Sequence, residues 1–181
     1  EVFEAIRLLN AMCIREKYTT ITTYGLSMGG YGALMFSNLL QADRVIAIAP
    51  QYSIDSRVVP FETRWLEDRQ RVSFIYDDMS KGLIKNGQVI IFYDKFFDFD
   101  KRHVDLIKSH REVDHFLVNF STHTVARALN DMGIFSRIME TVFRGQMNKT
   151  EFYQLIKQDR RKSPLLLHNM AVQIRKKGHK A

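Results

Sequence analysis

Two short, unbroken apolar runs, Val45 to Ala49 (VIAIA) and Val89 to Tyr93 (VIIFY), constrain the fold more than any other feature of the sequence. A strand with one solvated face alternates apolar and polar residues. A strand that is apolar throughout must be covered on both faces, which is the condition of a parallel sheet held between helices. The flanking segments supply those helices. Val2, Ile6, Leu9 and Cys13 recur at helical steps and predict an amphipathic helix ending near Lys17. Thr19 to Tyr24, β-branched and aromatic, reads as a strand, Met28 to about Leu40 as a helix, and His115 to Phe120 (HFLVNF) as the last strand. Asp100 is placed to cap a helix carrying Val104 and Ile107, and Val125, Leu129 and Met132 continue at helical spacing after the final strand. The alternation predicts an α/β protein with a mainly parallel sheet and flanking helices, with ligands at the carboxyl ends of the strands. The stretch from Tyr52 to Lys85 reads as a loop with helical pieces, Arg71 to Tyr76 being a candidate extra strand.

From Ile134 onward the pattern is helical: Ile134, Ile138 and Val142 share a face, then Phe152, Leu155 and Ile156, then Leu166, Met170 and Ile174. The expected division is an α/β domain over residues 1–145 and a basic helical extension over 146–181, lying outside that core. The net charge of +7 sits in residues 157–181, which hold eight Lys or Arg against the single acid Asp159; the remainder is neutral. A basic end is a weaker signal than a basic fold. With no interleaved stacking aromatics, nucleic acid is not the expected partner, and a protein or anionic polymer is the candidate for the extension. No apolar run approaches the roughly 18 residues that cross a bilayer, and Glu1, Glu4 and Arg7 do not form a signal peptide, so no membrane association is expected. Cys13, alone, can form no internal disulfide and leaves no Cys-rich metal site, which makes the cytoplasm the expected compartment.

Chemistry concentrates at Tyr24-Gly25-Leu26-Ser27-Met28-Gly29-Gly30. This is G-x-S-x-G set between a predicted strand and a predicted helix, the context of a nucleophile elbow. The serine must occupy a sharp turn that presents its hydroxyl at the sheet edge. Gly25 and Gly29, lacking Cβ atoms, are expected to make room for it, and the helix starting at Met28 aims backbone N–H groups at a developing oxyanion. The bland alternative is a glycine-rich turn that only lets helix and strand pack closely.

A nucleophilic serine needs a base, which in this arrangement comes late in the chain, in the order Ser, acid, His. His103 and His110 fall on a predicted helix, His115 opens a strand, and His168 and His179 lie in the basic end; all five read as surface or packing residues. His123 lies between the last strand and the next helix, where the base is required. The acid should follow the preceding strand, in Tyr93-Asp94-Lys95-Phe96-Phe97-Asp98-Phe99-Asp100. Capping accounts for Asp100, so Asp94 is the first choice and Asp98 the second. Asp77 and Asp78 would matter only if Phe74 to Tyr76 were the penultimate strand.

The run GLSMGGYGAL, followed by IAPQYSID and YDKFFDFDKRH, resembles α/β-hydrolase-fold serine hydrolases, in particular bacterial hydrolase-like domains of polysaccharide biosynthesis clusters, over about Thr19 to Gly133. The resemblance implies Ser27 as nucleophile, Asp94 as acid, His123 as base, Met28 as an oxyanion-hole N–H and Gln51 as a wall of the substrate pocket. It implies a serine esterase or acyltransferase working through an acyl-enzyme, without metal or organic cofactor, on a small-molecule or carbohydrate ester. In the parent fold four strands precede the nucleophile strand, whereas here one helix precedes Thr19. The chain is thus expected to hold the second half of that fold, with the second oxyanion donor supplied from outside residues 1–181, and Glu1 in place of Met fits a chain cut from a longer protein. The alternative function is a catalytically silent hydrolase-fold module that binds a partner.

Overall fold

The computed structural model describes residues 2–76, 78–176 and 178. Helix α1 (Val2–Arg15) leads to β1 (Thr22–Leu26), α2 (Met28–Met35) and β2 (Arg44–Ile48). Two short helical pieces, α3 (Leu66–Arg69) and α4 (Met79–Gly82), precede β3 (Gln88–Tyr93), α5 (Asp98–Lys108) and β4 (Asp114–Leu117). Helices α6 (Val125–Asp131), α7 (Phe135–Phe143), α8 (Lys149–Asp159) and α9 (Pro164–Lys176) follow.

The four strands form one parallel sheet in the order β1-β2-β3-β4, with Gly25 level with Ala47, Ala47 with Ile91, and Ile91 with His115. Because successive side chains of a strand point to opposite faces, each apolar run splits between two cores. Val45, Ala47, Val89, Ile91 and Tyr93 meet Leu34 of α2, Met79 and Leu83 around α4, and Val104 and Ile107 of α5. Ile46, Ile48, Ile90, Phe92 and Phe116 meet the other face, covered by Val125 and Leu129 of α6, Ile138 and Val142 of α7, Phe152 and Leu155 of α8, and Leu166 of α9. The α/β class with a parallel sheet is therefore as expected.

The boundary expected at residue 145 does not separate two cores. Phe152 is fully buried, and its ring lies 5.0 Å from Phe116 and 5.7 Å from Phe92, so α8 rests on the sheet itself. Local signals build this layer. Asn148 caps α8 by accepting from the Glu151 N–H at 2.8 Å, and Pro164 opens α9 at the position where its missing N–H costs nothing. Ser163, also buried, donates to Asp131 of α6 at 3.0 Å and ties α9 to the rest. The basic residues Lys157, Arg160, Arg161, Lys162, Arg175 and Lys176 face solvent. The layer is thus apolar inward and cationic outward.

Four local expectations shift. The first strand begins at Thr22 rather than Thr19 and runs through Gly25 to Leu26, which pairs with Ile48. Regular helix in α2 stops at Met35 and continues as turns. Arg71 to Tyr76 forms no strand, and the last strand ends at Leu117, after which Phe120 and Thr122 take positive φ values of 67° and 53°. Asp77 and His179 lie outside the described residues. Among the described residues no helix is long and apolar enough to cross a membrane.

Candidate active site

Ser27 sits between β1 and α2 with φ 53° and ψ −117°, a backbone state costing roughly 1–3 kcal/mol for a residue with a side chain. Two hydrogen bonds hold it there: the Ser27 N–H donates to the Ile48 carbonyl at 2.9 Å, and the Ser27 carbonyl accepts from the Tyr31 N–H at 3.0 Å. The glycines that permit the turn differ in part from those expected. A Cβ on Gly25 would lie 2.1 Å from the Gly29 carbonyl oxygen, and one on Gly30 would lie 3.1 Å from Pro50 Cβ, whereas Gly29 faces open space. Gly25 and Gly30 are the steric requirements, and Gly29 is not one. Met28, as first residue of α2, has an N–H with no acceptor inside its own helix.

His123 Nε2 lies 2.8 Å from Ser27 Oγ. On the far side of the ring, Nδ1 lies 2.9 and 3.0 Å from the two carboxylate oxygens of Asp100. A carboxylate only accepts, so Nδ1 carries the proton and donates; in the neutral ring Nε2 then keeps its lone pair and accepts from the serine hydroxyl. This is the tautomer a general base requires.

Asp94 and Asp98 do not reach His123. Asp94 Oδ1 accepts from the Phe96 N–H and Oδ2 from the Thr122 N–H, both at 2.9 Å, so this carboxylate braces the loop that carries His123. Burial pushes the Asp94 pKa up, against the pull of those backbone donors. Asp98 is mostly exposed and lies 3.7 Å from Arg102. The assignment of Asp100 as a cap fails because α5 starts three residues earlier: Phe97 occupies the cap position, and Asp100 lies inside the first turn. Asp100, His103, Val104 and Ile107 form the buried stripe of α5. That i, i+3, i+4, i+7 spacing was the signal that Asp100 faces inward.

Behind Asp100 lies a buried polar cluster that sequence reasoning missed. Arg64 Nη1 reaches Asp100 Oδ1 at 3.3 Å, and Arg64 pairs with Glu62 through Nε at 3.0 Å and Nη2 at 2.6 Å. Its guanidinium also stands 4.8 Å from the Phe99 ring centroid. His103, read as a surface or packing residue, is fully buried: Nδ1 accepts from the Tyr52 N–H at 3.1 Å, which makes Nε2 the donor to Glu62 at 2.8 Å. Glu62 and Arg64 lie in the irregular stretch after β2, where no periodicity marks them.

Burial opposes the charge on Glu62, but the hydrogen bonds from Arg64 and His103 prevail and hold its pKa at about 2. Burial pushes the His103 pKa down, against the pull of Glu62, and protonation at Nδ1 would also break the bond from Tyr52. Both groups are depressed in the folded chain, so the unfolded chain takes up protons first as pH falls. Their contribution to stability is complete above the ordinary histidine value of about 6.5 and is lost on acidification, the Glu62 part between about 4.5 and about 2. Glu62 accounts for roughly 3 kcal/mol. Chemical denaturation at several pH values checks this: stability should fall below neutrality, and Glu62→Gln should flatten the fall between pH 4.5 and 2. Stability that rises on acidification would contradict it.

A cavity of about 420 Å³ is walled by Met28 and Tyr31 of α2, by Gln51, and by residues between Ser53 and Tyr76; it reaches Met28, the chain neighbour of Ser27, while Ser27 and His123 are not part of its wall. Gln51 is buried and borders this cavity. Among the described residues no group of three His, Cys, Asp or Glu side chains is placed to hold a metal ion. No family model matches this chain, and no curated protein or solved structure matches it significantly.

Proposed function

We propose that the chain is a serine hydrolase or acyltransferase acting on an ester through an acyl-Ser27 intermediate, with Asp100 as the acid. The carrying observation is the chain of contacts from Ser27 Oγ to His123 Nε2 at 2.8 Å and from His123 Nδ1 to Asp100 at 2.9 Å. Three residues from three separate loops or turns meet in the order and tautomer that nucleophilic catalysis needs. The strained backbone of Ser27 and the resemblance of the motifs to α/β-hydrolases support the same reading.

In the proposed reaction the Oγ–carbonyl bond forms while His123 Nε2 takes the hydroxyl proton. The Asp100 carboxylate stabilises the resulting imidazolium without accepting its proton. The Met28 N–H offers one donor to the oxyanion. As the C–O bond to the alcohol breaks, His123 returns the proton to the leaving oxygen. Water or an acceptor hydroxyl, deprotonated by the same nitrogen, then releases the acyl group and restores Ser27. A carbohydrate as the alcohol part rests on the resemblance alone.

The test is incubation with a fluorophosphonate probe, followed by intact mass and peptide mapping. The expected result is one adduct per chain, on the peptide containing Ser27. Absence of any adduct, or an adduct elsewhere, would leave the silent binding module as the better reading.

A further inference from the structure

The cavity that begins at Met28, one residue past Ser27, is built for a different chemistry from that of a sugar. Its wall starts at Met28, the residue after the nucleophile, and continues through Ile54, Val72, Phe74 and Ile75, so the lining is predominantly apolar. Among the described residues its one charged border residue is Asp68, whose carboxylate would repel an acidic acyl group. Hydroxyl groups placed against Ile54, Val72, Phe74 and Ile75 would give up hydrogen bonds to water that these side chains cannot replace, and the polar lining residues, Gln51, Ser53 and Ser73 among them, make up the smaller part of the wall. The volume of about 420 Å³ lies within the range of small-molecule pockets and far exceeds what an acetyl group fills.

We propose that this cavity takes the acyl chain of the substrate, an uncharged, apolar, medium-length chain whose carbonyl lies at Ser27 while the alcohol part remains outside. The inference rests on the acyl-enzyme reading above and names the substrate class of that site. The position of Met28 provides the continuity: a chain whose carbonyl carbon is bonded to Ser27 Oγ enters the cavity past the neighbouring side chain. Selectivity then comes from the segment between β2 and β3, because Ile54, Val72, Phe74 and Ile75 all belong to it.

The experiment uses the full chain with p-nitrophenyl acetate, butyrate, hexanoate and octanoate. Burying each added methylene is expected to raise kcat/KM about fourfold until the cavity is filled. Val72 and Ile75 are substantially exposed, so enlarging them does not burden the core. Val72→Trp and, as a second variant, Ile75→Trp should each lower the octanoate-to-acetate ratio of kcat/KM by tenfold or more. A flat chain-length profile in the unaltered chain, with Ser27 still acylated, would overturn the acyl-chain assignment and leave the hydrolase reading standing. A steep profile that neither variant alters would place the acyl chain elsewhere and overturn it equally. If no ester acylates Ser27 at all, the hydrolase reading fails, and this inference with it.

Discussion

Asp100→Asn is expected to lower kcat for ester turnover by about 10⁴-fold with little change in KM, the size of the loss when a triad histidine is held in the wrong tautomer. Asp100 Oδ1 accepts from both Arg64 and His123, and Oδ2 lies 3.0 Å from the same His123 nitrogen. An asparagine offers one oxygen and one amide. With the oxygen turned to Arg64, the amide faces Nδ1 and forces the ring proton onto Nε2, where it can no longer accept from Ser27. Asp98→Asn should leave the rate near its original value, because that side chain is in solvent. Asp94→Asn should behave differently from both. It loses one of two backbone acceptances and places an amide against the N–H of Thr122 or Phe96, costing on the order of 1–3 kcal/mol of stability. Its rate loss would then follow from a displaced His123 loop. Steady-state kinetics and thermal melts on the three variants separate these outcomes. A 10⁴-fold loss in Asp94→Asn with a mild Asp100→Asn would restore the acid expected from the sequence.

Truncation after Gly145 should abolish cooperative folding. The face of the sheet formed by Ile46, Ile48, Ile90, Phe92 and Phe116 is covered by α6 to α9, and the cut removes Phe152, Leu155 and Leu166 from that layer. Replacing one buried phenylalanine by alanine costs about 3–5 kcal/mol, against a total stability of about 5–15 kcal/mol for a typical domain. Removing two helices exceeds that margin. Phe152→Ala in the full chain is the milder form of the same test and should lower the melting temperature markedly while leaving the Ser27–His123 contact in place. A fragment ending at Gly145 that melts cooperatively near the temperature of the full chain would show that α8 and α9 are an appendage after all.

The fold was legible where one physical rule dominates. VIAIA and VIIFY had to be strands buried on both faces, and they are the two central strands. Ser27 and His123 were legible because each lies in a loop bounded by strong strand and helix signals. Asp100 was missed by a boundary error of three residues. A capping aspartate and an inward-facing aspartate in the first turn look alike until the helix start is known, and only the stripe through His103, Val104 and Ile107 distinguishes them. Gln51 was expected at a pocket wall and borders the cavity, but Glu62, Arg64 and the cavity walls from Ser53 to Tyr76 were not legible, since the stretch from Tyr52 to Lys85 is set by ion pairs and long-range polar contacts rather than by periodic burial. The misplaced domain boundary has a related cause. Helical spacing at Phe152, Leu155 and Leu166 reveals an apolar face but not its partner, and that partner is the second face of the sheet.

The central claim, that Ser27 forms an acyl-enzyme with His123 and Asp100, is tested most directly by quenched-flow intact mass spectrometry of the chain mixed with p-nitrophenyl butyrate. The predicted result is a burst of p-nitrophenol approaching one equivalent per chain, accompanied by a butyryl mass increase that maps to Ser27 and decays as turnover proceeds. A chain that stays unmodified at every quench time, with p-nitrophenol released no faster than in buffer, would contradict it.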